Sequence, residues 1–263
     1  MSRAAVAWAE ALASWAIPPE IIAQAPEDPW AYPVGHFVRA AEEALVRETP
    51  SLRRALEALP VGGSVLDVGC GAGAASLPLA PPASSLTGVD QSEEMLHAFA
   101  GRAAALGVAH EEIQGRWPDV SDRILGAVDV VVCHHVLYNV PDLARFAEAL
   151  NRHAQRRVVV ELTAEHPRSW ESPLWRELHR IERPLRPTAD DAVEVLSELG
   201  LSVSIDRWTR APSFSAAAHD ELVSMVRVDL CLSADRDAEI ARVLEAHPPP
   251  RERGIVTLWW DLR

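Results

Sequence analysis

The sequence predicts an α/β protein, a doubly wound and mostly parallel sheet with helices on both faces. Three observations carry that expectation. Four short apolar runs, "GSVLDVG", "SSLTGVD", "AVDVVVC" and "RRVVVEL", follow one another between Gly63 and Leu162. They are rich in valine and leucine without strict alternation, the pattern of strands buried on both faces. Helical segments, "SEEMLHAFAGRAAAL" and "DLARFAEALNRHA", separate them, and this alternation builds a parallel sheet with crossover helices. Finally, "VLDVGCGAG" places Gly69, Gly71 and Gly73 at every second position just past the first run.

Taken in order, the first sixty residues read as helical. "RAAVAWAEALASWA" sets Val6, Ala9, Ala13 and Ala16 near one face, with Trp8 and Trp15 a heptad apart. Pro18 and Pro19 end that helix and open "PEIIAQA". "PEDPWAYPVG" is turn-like, and "HFVRAAEEALVRE" and "SLRRALEAL" are helical again. Residues 1–60 are therefore expected to form a helical N-terminal cap on a main domain of residues 61–263. Within that domain a weaker strand is expected in "HEEIQG", a helix in "TADDAVEVLSELG", and another strand in "LSVSIDRW". A helical insert at about residues 212–250 precedes the closing strand, "GIVTLWWDL", which is rich in β-branched and aromatic residues.

Composition narrows the function. A net charge of -13 works against a nucleic-acid partner, whose phosphates need a basic face. Arg152, Arg156 and Arg157, and Arg251 with Arg253, are read as solvated surface. The cysteines Cys70, Cys133 and Cys231 have no paired spacing, which suits a reducing compartment and offers no metal framework. No apolar run reaches the roughly 20 residues of a membrane span. The N-terminal segment reads as structure and not as a signal peptide, so a cytoplasmic protein without a membrane partner is expected.

The glycine loop is the strongest chemical signal. Glycine suits a backbone that turns with positive φ and meets a ligand with bare main chain. N–H groups at the start of a following helix would favour an electron-rich ligand, although Pro78 should keep that helix short or kinked. Asp67 stands inside the strand, where a charge needs a polar partner. Asp90 ends the second strand seventeen residues after Gly73, placed to accept hydrogen bonds from two ribose hydroxyls.

At these residues the chain resembles the class I S-adenosylmethionine-dependent methyltransferases. "VLDVGCGAG" matches that family's first motif and "LTGVDQSEEML" its second, over roughly residues 62–162. The resemblance implies a Rossmann-like seven-stranded sheet whose last strand is antiparallel. It implies S-adenosyl-L-methionine as cofactor and methyl transfer to a small-molecule acceptor, most simply at oxygen or nitrogen. Asp90 would hold the ribose, and the Gly69-Cys70-Gly71 backbone with Gly73 would pass under the methionine part. Asp67 would organise the loop and meet the ammonium through water, and Gln91 and Met95 would border the adenine. Many members place an acid after the third strand for the adenine amine. Here Arg116 and Trp117 stand there, and arginine offers no acceptor. Trp117 is open to two roles, stacking on the purine or covering the core.

The fourth run delivers "VDVVVCHHVLYNVPD" to the crevice where ligands bind in such sheets. Histidine is the natural proton acceptor near neutral pH, so His134, His135 and Tyr138 are the candidate catalytic groups. By resemblance His134 lends mainly backbone to the cofactor, while His135, Tyr138 and Asn139 face the acceptor. Glu161 ends the fifth run at the same crevice, as a structural or a substrate contact. Trp30, Tyr32, His36 and Phe37 lie in the N-terminal segment and either line an acceptor pocket or pack a lobe. Trp170 and Trp175 with the helical insert form another wall or the surface of a homodimer. Two other readings remain: a non-catalytic S-adenosylmethionine-binding or regulatory protein of this fold, and an NAD(P)-dependent oxidoreductase, although its glycine fingerprint is matched less well.

Overall fold

The computed structural model describes residues 2–30, 34–212 and 218–262. Its sheet holds β1 (Ser64–Val68), β2 (Ser85–Asp90), β3 (Ala109–Gln114), β4 (Val128–His134), β5 (Ala154–Thr163), β6 (Ser204–Arg210) and β7 (Arg253–Asp261). They lie in the order β3-β2-β1-β4-β5-β7-β6. All the pairings among β1 to β5 are parallel, and β7 runs antiparallel to both β5 and β6. The mostly parallel sheet with an antiparallel last strand is thus as expected.

The strands read as they do because they are covered twice. On one face Leu66, Val131 and Val158 pack with Trp8, Phe146 and Leu150, beneath α1 (Arg3–Ala13), α6 (Leu143–His153) and α8 (Ala189–Glu198). On the other, Val65, Val130 and Val159 meet Ala41, Ala55 and Phe99, beneath α3 (Val34–Ala44), α4 (Pro50–Ala58) and α5 (Glu93–Leu106). Ser92 caps α5 by accepting from the Met95 N–H, and Asp142 caps α6 through the Arg145 N–H. Each cap is worth about 1 kcal/mol.

A third cluster stands off the sheet. Ile17, Trp175, Val226, Leu230 and Ile240 unite α7 (Ser172–His179), α9 (His219–Asp229) and α10 (Asp237–Ala246) with the neighbourhood of α2 (Pro19–Ile22). The helices expected between β6 and β7 are therefore present as α9 and α10, although residues 213–217 lie outside the described residues. Trp175 is core here, 1% exposed, and no free wall.

The helices of residues 1–60 pack along the main domain: α1 on α6 and α8, α4 on β4, β5 and β7, and α3 on α5. Two expectations need correction. The inward face of α1 is Ala4, Ala5 and Trp8, while Val6 is exposed, because the Trp8 Nε1–H donates to the Val140 carbonyl at 2.8 Å. No α-helix follows the glycine loop. A 3-10 turn at Leu77–Leu79 stands there, since Pro78 and then Pro81 and Pro82 deny the chain the N–H groups a longer helix needs.

Candidate functional site

The strand order reverses between β1 and β4, and in open α/β sheets ligands bind at that switch point beyond the carboxyl ends of the strands. A cleft of about 310 Å³ lies there. Gly69, Asp90 and Gln91 form one side, Arg116, Trp117 and Asp119 a second, and Val136, Asn139 and Arg145 a third.

Backbone geometry makes the first wall. Gly69 sits at φ +73°, where a Cβ would come within 2.4 Å of a Val136 methyl, so only glycine lets β1 turn away beneath the cleft. Its N–H is held by the Val89 carbonyl at 2.8 Å. Asp90 then ties the loop together: one carboxylate oxygen accepts the Gly71 N–H and the other the Ser92 N–H, both at 2.9 Å. Each oxygen keeps a second lone pair for a ligand hydroxyl. Gly73 fits tightly against Leu77 and Phe99, a packing role.

Asp67 is 1% exposed. Its Oδ2 accepts from the Ser76 hydroxyl at 2.6 Å, while Oδ1 has no partner. Burial pushes its carboxyl up to about 7, and the Asp90 charge adds to the rise. A buried, half-satisfied acid beside the loop suits a cationic group that brings N–H donors. The ammonium of S-adenosylmethionine is such a group, and its ribose hydroxyls suit Asp90. Cys70 is buried with its thiol raised well above the ordinary value by desolvation, which keeps it a packing residue.

Among the other expected cofactor neighbours, Trp117 and Arg116 border the cleft and Met95 does not. Met95 is 8% exposed, packed on the inner side of α5 and not in the cleft. Trp117 borders the cleft but is mostly core, its Nε1–H donating to the Phe146 carbonyl at 3.4 Å and its ring edge-on to His153. Arg116 is exposed at the rim. Asp119 also lines the cleft, paired with Arg145 at 3.1 Å. Neither residue was singled out from sequence, because the turn after Pro118 gives no periodic signal.

Beyond β4 the two histidines diverge. The His134 Nε2 is shielded and without a partner, and burial lowers the ring to about 4, so it is neutral at pH 7. His135 adopts φ +59°, a strained region for a non-glycine residue, and its N–H donates to the Glu161 carbonyl at 2.7 Å. That kink aims its ring across β5. The Nε2 lies 2.9 Å from Glu161 Oε1 and 2.8 Å from Arg210 Nη2, and Arg210 reaches Glu161 at 3.2 Å. Burial alone would raise Glu161, yet it is held well below the usual carboxylate range. The His134 ring contributes most to that lowering, followed by the His135 hydrogen bond and charge and then by Arg210. Glu161 is directly opposite Thr257 in the sheet, and Thr257 in turn bonds Ser51 and Trp208.

Tyr138 does not reach the acceptor side. It is 6% exposed, its hydroxyl donates to the Thr163 carbonyl at 2.9 Å, and its ring stacks near Trp8. Burial also raises the phenol above its ordinary range. Asn139 lines the cleft with Asp90 and not the space beside His135. Trp30 is half exposed under the Arg168 guanidinium, against the helical lobe. His36 sits edge-on to Phe37, whose ring lies 3.5 Å from where a Gly71 Cβ would be, so α3 leans on the glycine loop. Tyr32 lies outside the described residues. Arg210 escaped sequence reading because only the β6–β7 register brings it to His135.

Residues 66–160 match the model of a family described as a methyltransferase domain. A ubiquinone biosynthesis O-methyltransferase of Erwinia tasmaniensis is 38% identical over 81 residues, 31% of this chain and 33% of that protein. The chain thus spans about a third of that relative's length. A protein of the same description from Caulobacter vibrioides is 26% identical over 238 residues, 77% of this chain and 93% of its own. Among solved structures, a SAM-dependent methyltransferase from Thiobacillus denitrificans in complex with S-adenosyl-L-homocysteine aligns with TM-score 0.57 at 16% identity, covering 90% of this chain and 100% of that one. No helix among the described residues is long and apolar enough to cross a membrane. Motif, sheet order and family match agree, and over residues 66–160 the chain is similar to the methyltransferase domain of S-adenosylmethionine-dependent enzymes.

Proposed function

We propose that the protein transfers the methyl group of S-adenosyl-L-methionine to an oxygen or nitrogen of a small molecule. The observation that carries this is the pairing of Asp90 on the glycine loop with the half-satisfied, buried Asp67. When bound, the cofactor supplies a sulfonium-activated methyl group open to in-line displacement. Gly69 and Asp90 would hold its nucleoside side, and Asp67, through water, its ammonium. His135 takes the acceptor's proton: with Nε2–H donated to Glu161, the Nδ1 lone pair is free and the resulting imidazolium is balanced by the carboxylate. Most of the acceleration comes from alignment of donor and acceptor.

A dinucleotide fits less well. No α-helix begins at the glycine loop to receive a pyrophosphate, and Asp67 calls for a cation. The net charge of -13 favours a small molecule over nucleic acid as acceptor, and a cytoplasmic location suits the three unpaired, buried cysteines. The test is incubation with methyl-labelled S-adenosylmethionine and a panel of phenols, amines and carboxylic acids, with mass spectrometry of the products. Labelled product that falls sharply in His135→Ala is expected. Tight cofactor binding with no product across the panel would favour the regulatory reading instead.

A further inference from the structure

The sheet edge beside His135 carries a like-charge pair that the methyl-transfer chemistry does not need. Arg210 at the end of β6 is directly opposite Arg253 at the start of β7. Directly opposed residues of an antiparallel pair share a face with Cβ atoms about 5 Å apart, and like charges there are destabilising. Each guanidinium also feels the other electrostatically, since Arg210 helps to lower Arg253.

Local acids cancel this charge only in part, Glu171 and Glu165 acting on Arg253 from a distance. Glu161 pairs with Arg210 and also with His135. Among the described residues Arg253 is in no ion pair; its Nη2 donates to the Pro167 carbonyl. Arg183 lies deeper, 8% exposed, also without an ion pair among the described residues, donating to the Trp15 carbonyl and leaving its Nε unsatisfied. Both guanidiniums act on His166, which burial and the neighbouring cations keep neutral. The buried Glu171 carboxyl is raised by desolvation and lies 3.6 Å from Arg168, so it balances little of the charge on Arg253. In a chain of net charge -13 this is a local positive excess. Arg210 is about one-third exposed and Arg253 half-buried, so both stay within reach of a ligand.

We propose that Arg210 and Arg253 together bind a carboxylate of the methyl acceptor and so set it beside His135. The substrate class is then a small organic acid with a separate hydroxyl or amine to be methylated. Two guanidiniums on adjacent strands present parallel N–H donors to the two oxygens of a planar carboxylate. When Nε2–H of His135 is donated to Glu161, Arg210 is released from the imidazole towards that anion. This rests on the methyltransferase reading for the role of the anion, although not for its binding.

The test is titration of the S-adenosylhomocysteine-loaded protein with benzoate, benzamide and phenyl phosphate, on wild type, Arg253→Gln and Arg253→Lys, with circular dichroism to confirm folding. Benzoate should bind at least tenfold more tightly than benzamide, Arg253→Gln should abolish the difference, and Arg253→Lys should restore part of it. Equal binding of benzoate and benzamide, including no binding of either, or an unchanged preference in Arg253→Gln, overturns the proposal. Tighter binding of phenyl phosphate than of benzoate overturns the carboxylate assignment. Because S-adenosylhomocysteine binding is measured first, its failure would count against the methyltransferase reading alone. The anion titration on the unloaded protein would still decide this one.

Discussion

Asp67 makes cofactor binding a proton-linked event. In the ligand-free protein its carboxyl titrates at about 7 against an ordinary value of 3.8. The sign follows: the folded state holds a proton that the unfolded chain has lost, so the stability this group gives is full below pH 3.8 and disappears as pH rises through 7. The span of about three pH units corresponds to about 4 kcal/mol as an order of magnitude. A ligand ammonium met through water near Asp67 would reverse the preference and expel the proton. About nine-tenths of a proton should leave per molecule bound at pH 6, and about one-tenth at pH 8, with affinity rising about tenfold between them. Calorimetric titration with S-adenosylhomocysteine in two buffers of different ionisation enthalpy reads this directly. The apparent enthalpy should differ between buffers at pH 6 and agree at pH 8, and Asp67→Asn should remove the dependence. Buffer-independent enthalpies at pH 6, or the same dependence in Asp67→Asn, would refute the role of Asp67.

Further perturbations separate the cleft from its surroundings. Asp90→Ala should weaken S-adenosylhomocysteine binding by about 1–3 kcal/mol, read by calorimetry, because the Gly71 and Ser92 N–H groups lose their acceptor along with the ribose. His135→Ala should leave that affinity within about twofold while turnover falls; wild-type turnover would remove the base assignment. Tyr138→Phe should keep turnover and lower stability by about 1 kcal/mol in denaturant unfolding, since only the bond to the Thr163 carbonyl is lost.

The sheet and the cofactor loop were legible because both are local. Valine runs at residues 130–132 and 158–160 must be buried on both faces, and a glycine at residue 69 marks the turn that its φ of +73° then requires. The acceptor side was less legible because its residues meet through register. Glu161 faces His134 across a parallel pair, and Arg210 comes to His135 only once β7 has slotted between β5 and β6. The same cause misdirected Tyr138 and Asn139. The 3-10 turn at Leu137–Asn139 sends the phenol inward beneath Thr163 and the amide into the cofactor cleft. The N-terminal segment was less legible for another reason: amphipathic helices announce that they are covered, not by what, and α1 and α4 found opposite faces of one sheet.

The most direct measurement is equilibrium titration of the purified protein with S-adenosylhomocysteine and, separately, with NADH. Saturable binding of S-adenosylhomocysteine that weakens in Asp90→Ala, with no binding of NADH, is the predicted result. NADH binding in the absence of S-adenosylhomocysteine binding would contradict the account at its centre.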